Sequence, residues 1–193
     1  MKIKFHGMKK LIIVCVLAVL CITGCSRTAA LSKAEAEEQV REVWQGYKQM
    51  YKQIWGDGLG YKGNITEDML IKGGTKDDYL CPVEGDITTL AQLKEAVEKV
   101  CTSEFADREF YEPYLDGDNK LYEEIDGKLY IYMWANVKYI ADIEKCDIIK
   151  VEKNKITAEI IGQPDEITGI GYSYDVTLVS ENGTWRIDEL TEK

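Results

Sequence analysis

The residues that could carry out covalent or acid–base chemistry here are serines, cysteines and carboxylates, and they lack the partners that such chemistry requires. The only histidine is His6. A serine or cysteine nucleophile needs a neighbouring base, most often histidine, and no Ser-x-x-Lys sequence supplies the lysine alternative. The abundant acids will place some carboxylates close together by chance, so they do not indicate a two-carboxylate glycosidase. We therefore expect no catalytic residue and no enzyme activity.

Metal ligands are equally sparse. Asp116-Gly117-Asp118-Asn119 has the spacing of the start of a calcium-binding loop, but the twelfth position, where such a loop has glutamate, is Gly127. We interpret this segment as a turn. No Cys-x-x-Cys pair is present, so a structural zinc site has no support. We expect neither a metal nor a cofactor.

One cysteine, Cys25, lies in a sequence motif that predicts a covalent modification. Lysines precede the uncharged run Leu11–Thr23, which is too short for the roughly 20 residues of a membrane-spanning helix and typical of a signal peptide. The run leads into Ile22-Thr23-Gly24-Cys25, which resembles the bacterial lipobox. This motif implies cleavage before Cys25 and a diacylglycerol on its thiol. We predict a signal peptide over 1–24, a lipidated Cys25 with a short tether over 25–31, and one domain over 32–193.

The predicted mature chain is strongly acidic. Loss of Lys2, Lys4, Lys9 and Lys10 leaves 20 of the 24 basic residues against all 34 acidic ones, a formal charge of −14 instead of −10. Nucleic-acid affinity comes mainly from basic side chains, so a nucleic-acid partner is excluded. The lipid on Cys25 would hold the protein at the outer face of the bacterial cytoplasmic membrane.

The predicted domain keeps three other cysteines, Cys81, Cys101 and Cys146. We favour buried free thiols over a Cys81–Cys101 or Cys101–Cys146 disulfide.

Helices are predicted in the first half of the domain. Ser32 and Glu35 form a capping box, and an apolar stripe at helical spacing follows: Val40, Val43, Trp44, Tyr47, Tyr51, Ile54 and Trp55. We interpret the stripe as core and not as a ligand platform. A second helix begins at Thr89, with Gln92 completing a capping box, and a short third helix runs from Ser103 through Phe110, ending before Pro113.

Strands follow from Lys120 onward, where the pattern period changes to two. Asp126-Gly127 and Glu181-Asn182-Gly183 mark hairpin turns. Helices first and a strand meander afterwards predict an α+β fold in which N-terminal helices pack on a curved antiparallel β-sheet, as in cystatin-like and NTF2-like proteins. Residues 56–87 are expected to be rich in loops. Asp57, Leu59 and Tyr61 lie in their glycine-rich beginning and are the candidate partner-binding residues.

The chain resembles the IseA-type DL-endopeptidase inhibitor family. The matching features are the aromatic helix from Trp44 to Trp55, the Thr89-Leu90 helix leading to Phe105 and Phe110, the hairpin Asp126-Gly127-Lys128-Leu129-Tyr130, and the closing Gly183-Thr184-Trp185-Arg186-Ile187-Asp188. The resemblance implies a cystatin-like fold, an extracellular location and inhibition of peptidoglycan-cleaving cysteine peptidases. It also implies that the inhibitor occludes the substrate cleft of the DL-endopeptidase.

Two functions therefore compete. The first is a lipid-anchored inhibitor that binds a DL-endopeptidase. The second is an NTF2-like small-ligand-binding domain of the cell envelope, with a cavity lined by residues such as Tyr130, Trp134 or Tyr174. A deep pocket would favour the second, and a filled core with a protruding acidic loop at Gly56–Gly63 would favour the first.

Overall fold

The computed structural model describes residues 30–56, 59–60, 64–72, 79–118, 120–133, 140–164, 169 and 171–193. Residues 31–193 form one compact unit. Cys25, Asp57, Tyr61 and Trp134 lie outside the described residues. Within the described part, no helix is long and apolar enough to cross a membrane.

Helix α1 spans Lys33–Tyr51 and continues as a π-helical turn over Lys52–Gly56. The predicted capping box is confirmed: the Ser32 hydroxyl accepts from the Glu35 amide, and the Glu35 carboxylate accepts from the Ser32 amide at 2.9 Å. The predicted stripe is buried, with Tyr51 half-buried at its edge. Helix α1 therefore presents one continuous aromatic and aliphatic face to the core.

Two further helices follow. Helix α2 spans Leu90–Glu98 and is capped by the Thr89 hydroxyl, although the Gln92 side chain reaches back to the Thr88 amide. Helix α3 spans Ser103–Ala106 and continues as a π-helix over Asp107–Asp116. The prediction that it ends before Pro113 is wrong. A proline ring clashes with the carbonyl four residues earlier in an α-helix, and the wider π-turn relieves that clash.

The strands form two four-stranded antiparallel sheets. The first has the order β1-β2-β4-β3 and the second β5-β6-β7-β8. Their bounds are β1 Ile71–Lys72, β2 Tyr79–Pro82, β3 Tyr122–Ile125, β4 Lys128–Tyr132, β5 Ile143–Val151, β6 Lys155–Gly162, β7 Ser173–Glu181 and β8 Thr184–Glu192. A 3₁₀ turn covers Glu67–Met69.

The α+β fold is confirmed, with two differences in its sheets. Strands β1 and β2 lie in the region expected to be loops. The sequence does not predict them, because they are short and lack a period-two pattern. Strand β4 pairs with β2 and β3, so the hairpin around Asp126-Gly127 belongs to a separate sheet from β5–β8. Both hairpin turns are of the predicted kind, since Asp126, Gly127, Asn182 and Gly183 all have positive φ.

The second sheet is curved and packs against helix α1. Bulges interrupt the pairing of β5 with β6 and of β7 with β8. The Trp44 ring lies 5.3 Å from that of Tyr174, and its indole nitrogen donates to the Ala141 carbonyl at 3.0 Å. Lys48 pairs with Asp142 on the same side of the helix. The helix is thus held to this sheet by ring packing, a hydrogen bond and an ion pair.

The first sheet is joined to the end of α1 by a buried tyrosine. The fully buried Tyr122 donates its hydroxyl proton to the Ile54 carbonyl, and the Tyr122 hydroxyl oxygen accepts a hydrogen bond from the Leu59 amide at 3.3 Å.

The cysteines Cys81, Cys101 and Cys146 are free and buried, as the preferred interpretation predicted.

We expect Tyr122→Phe to lower the free energy of unfolding by about 1–3 kcal/mol, because two buried backbone groups lose their partner while the ring stays in place. Urea denaturation of the two proteins measures the difference. Tyr79→Phe is the matched control, since Tyr79 is 54% exposed and should change stability by less than about 0.5 kcal/mol. Equal stability of wild type and Tyr122→Phe would contradict the assigned role.

Candidate functional site: a cavity lined by tyrosines

A cavity of about 340 Å³ opens between helix α1, the π-helix after α3 and the second sheet. Its aromatic walls are Tyr47, Tyr51, Phe110, Tyr114 and Tyr174. Ile140 and Leu190 add aliphatic surface, and Glu109 and Glu192 add carboxylates. We call this the tyrosine cavity. Its volume lies in the range of about 300–1,000 Å³ that is typical of small-molecule sites.

Each wall follows from the local periodicity of its element. Tyr47 and Tyr51 are four residues apart and share one face of α1. Tyr174 on β7 is the direct cross-strand partner of Glu192 on β8, so both side chains stand on the same face of the sheet. Leu190 lies two residues from Glu192 on β8 and lines the cavity with it.

The rings form a packed cluster behind the cavity. The Tyr47 ring centroid lies 5.8 Å from that of Tyr51 and 6.2 Å from that of Phe110. Phe110 in turn lies 4.6 Å from Trp55. Such tilted contacts fix the ring orientations. The cavity walls are therefore set by the core and do not depend on a ligand to order them.

The tyrosine hydroxyls remain available. Tyr47 is only 3% exposed, and Tyr174 only 6%. Among the described residues, the hydroxyls of Tyr47, Tyr51 and Tyr174 have no hydrogen-bond partner. The three oxygens are not among the fully buried, unpartnered side-chain atoms of the described residues, so they are accessible from the cavity, and an occupant could form hydrogen bonds with all three.

These hydroxyls keep their protons at neutral pH. Burial raises the pKa of Tyr51 to about 12, and the neighbouring Tyr114, Tyr174 and Glu192 act in the same direction. Burial also raises the pKa of Tyr174 to about 12, with Glu192 again contributing. The pKa of Tyr47 is raised well above its usual value, chiefly by burial. The three groups can therefore donate as well as accept hydrogen bonds.

A second concavity has a different character. This glutamine groove, of about 580 Å³, lies between α1, the end of α2 and the β7–β8 turn. Glu42, Gln45, Gln49 and Lys99 in its lining are exposed, and Trp185 is half-buried. Its polar groups are solvated by water in the free protein. It therefore gives weaker evidence for a specific occupant than the largely buried aromatic walls of the tyrosine cavity do.

The sequence-predicted site residues are distributed unevenly. Leu59 is 5% exposed and lies in the core, where its amide is tied to Tyr122, so we do not retain it as a partner contact. Of the predicted cavity residues, Tyr174 lines the tyrosine cavity, whereas Tyr130 lies on β4 of the other sheet. Within the described ranges, no cluster of three potential metal ligands occurs.

Most of the tyrosine cavity is not indicated by the sequence patterns. Tyr47 and Tyr51 belong to the helical stripe that is predicted to be core, and no sequence pattern points to Glu109, Phe110, Tyr114 or Glu192 as cavity residues. The available signal was chemical: the stripe carries hydroxyl groups that a purely apolar core does not need. Periodicity alone cannot show where three packed elements leave a space.

A comparison with models of known protein families finds no match for this chain, and no curated protein matches it. The similarity to DL-endopeptidase inhibitors therefore stays a prediction.

Proposed function

We propose that this protein is a lipid-anchored, extracytoplasmic binding protein that holds a small ligand of the cell envelope in the tyrosine cavity. The observation that carries the proposal is a cavity lined by aromatic rings, in which the hydroxyls of Tyr47, Tyr51 and Tyr174 have no partner among the described residues. Aromatic walls with a few convergent polar groups are the usual composition of a ligand site. In this proposal the protein acts by binding and not by catalysis.

The anchor is part of the proposal because of the segment that precedes the domain. Ile22-Thr23-Gly24-Cys25 follows an uncharged run with lysines before it, as in a lipoprotein signal. Only residues 26–32 separate the acylated position from the first helical residue, Lys33. The ligand-binding domain would therefore work close to the outer face of the membrane.

Inhibition of a DL-endopeptidase is the second candidate function, and the acidic composition of the domain favours it. With 34 acidic and 20 basic residues after position 24, the domain would be steered toward a basic enzyme surface. In this case the contacts would lie on the protein exterior and the tyrosine cavity would play no part.

The ligand-binding proposal predicts that filling the cavity abolishes binding. The chain from Ser26 onward would be mixed with the water-soluble fragments of the organism's digested peptidoglycan, and ligand-observed NMR would identify the fragments that bind. Leu190→Trp should weaken binding at least about tenfold, because the larger ring extends from β8 into the cavity that Leu190 lines. Ile149→Trp is the matched control, since Ile149 is 59% exposed on β5. Equal binding by both variants would refute this site.

The inhibitor candidate predicts dose-dependent loss of peptidoglycan hydrolysis when the same chain is titrated into a DL-endopeptidase from the organism. Inhibition should weaken as salt is added, because screening reduces the attraction between the acidic domain and its enzyme. Leu190→Trp should inhibit as well as wild type. Full hydrolysis at every concentration, with each such enzyme of the organism, would remove this candidate.

The anchor predicts that Cys25→Ser abolishes incorporation of radiolabelled palmitate and shifts the protein out of the membrane fraction. Cys21→Ser is the matched control, because it changes the same atom in the same run four residues earlier and leaves the acylated position intact. Label retained by Cys25→Ser would show that the lipobox assignment is wrong.

A further inference from the structure

The tyrosine cavity has a negative electrostatic character. Glu192 enters it from β8 and Glu109 from the π-helix after α3, and the lining residues that the structure describes include no lysine or arginine. The Glu192 carboxylate is close enough to Tyr51 and Tyr174 to raise the pKa of both hydroxyls. An anionic occupant would be repelled by the Glu192 carboxylate.

The neighbouring basic side chains do not neutralise Glu192. Arg108 pairs with Glu109 at 2.8 Å. Lys193, next to Glu192 in the chain, turns to Glu159 and Asp175, each at 2.8 Å. Throughout the described segments, Glu192 has no ion-pair partner. One carboxylate at the cavity mouth thus remains available to a positive group.

The aromatic walls favour the same sign of charge. Ring faces carry negative potential and attract organic cations, with about 0.5–1 kcal/mol per contact at exposed sites and about 2 kcal/mol when water is excluded. Tyr47, Tyr51, Phe110, Tyr114 and Tyr174 surround one space, so several rings can act on one group. The unpartnered hydroxyl oxygens supply further acceptors.

We propose that the tyrosine cavity binds an organic ammonium group, either methylated or primary, whose charge is balanced by Glu192 and whose carbon surface packs on the tyrosine rings. This inference rests on the proposed ligand-binding function and names the chemical class of its ligand. A bare metal ion fits poorly, because rings replace the oxygen ligands that it would need.

Choline chloride and its uncharged analogue 3,3-dimethylbutan-1-ol test the inference, since they have the same shape and differ in charge. Nα-acetyl-lysine methylamide tests a primary amine on a peptide. Titrations of the chain from Ser26 onward, followed by NMR, should show at least one of the two cations binding about tenfold more tightly than the alcohol. The better of the two cations distinguishes a quaternary headgroup from a peptide side chain.

Two variants locate the charge. Glu192→Gln should weaken cation binding about fivefold and leave the alcohol unaffected, because only the charge–charge attraction is lost. Glu144→Gln on β5, at the opposite edge of the same sheet, is the matched control and should bind as wild type does. Thermal unfolding of both variants checks that the fold is retained.

The possible results distinguish failure of the ammonium inference from failure of the proposed ligand-binding function. Equal binding of cation and alcohol, abolished by Leu190→Trp, would overturn the ammonium inference and preserve the ligand site. Cation binding that survives both Leu190→Trp and Glu192→Gln would place the cation elsewhere and overturn the inference. No binding of either cation would also overturn it, and peptidoglycan fragments that still bind in the NMR experiment would leave the ligand-binding function standing.

Discussion

Helix α1 must bury large rings along one face while keeping the opposite face in water, and the rest of the molecule is arranged around that requirement. Rings as large as those of Trp44, Tyr47 and Trp55 need packing partners on more than one side, and these partners come from other elements of the fold. Trp44 packs on Tyr174 of the second sheet, and Trp55 on Phe110 of the π-helix. The hydrophobic gain from burying such rings is the largest favourable contribution available to a domain of this size.

The connection between helices α2 and α3 fixes the third wall of the tyrosine cavity. Val100 and Thr102 exchange backbone hydrogen bonds with Ile187 of β8, at 2.9 and 2.8 Å. The Thr102 hydroxyl also caps helix α3 and donates to Asp188 at 3.0 Å. Because the start of α3 is pinned to β8, the π-helix that follows is held at a defined distance from Tyr174 and Glu192, which lie on the same sheet.

The sequence predicted those features whose causes are local. The capping box at Ser32 and the left-handed turn at Asp126-Gly127 are encoded by adjacent residues, so both were found. The continuation through Pro113 was missed, because the π-turn that accommodates proline depends on packing and not on the proline itself. The tyrosine cavity was missed for the same reason. Its walls come from stretches of chain that are far apart in sequence, and only the folded core brings them together.

That distribution of the walls couples occupancy to folding. No single element contains the site, so an unfolded chain has nothing with which to hold the ligand, and any occupant binds the native state alone. At a ligand concentration a hundred times the dissociation constant, such selective binding stabilises the native state by about 2.7 kcal/mol. If the protein is extracytoplasmic, as we propose, and a transiently opened chain meets proteases there, the filled protein would outlast the empty one. Its abundance would then itself report how much ligand surrounds the cell.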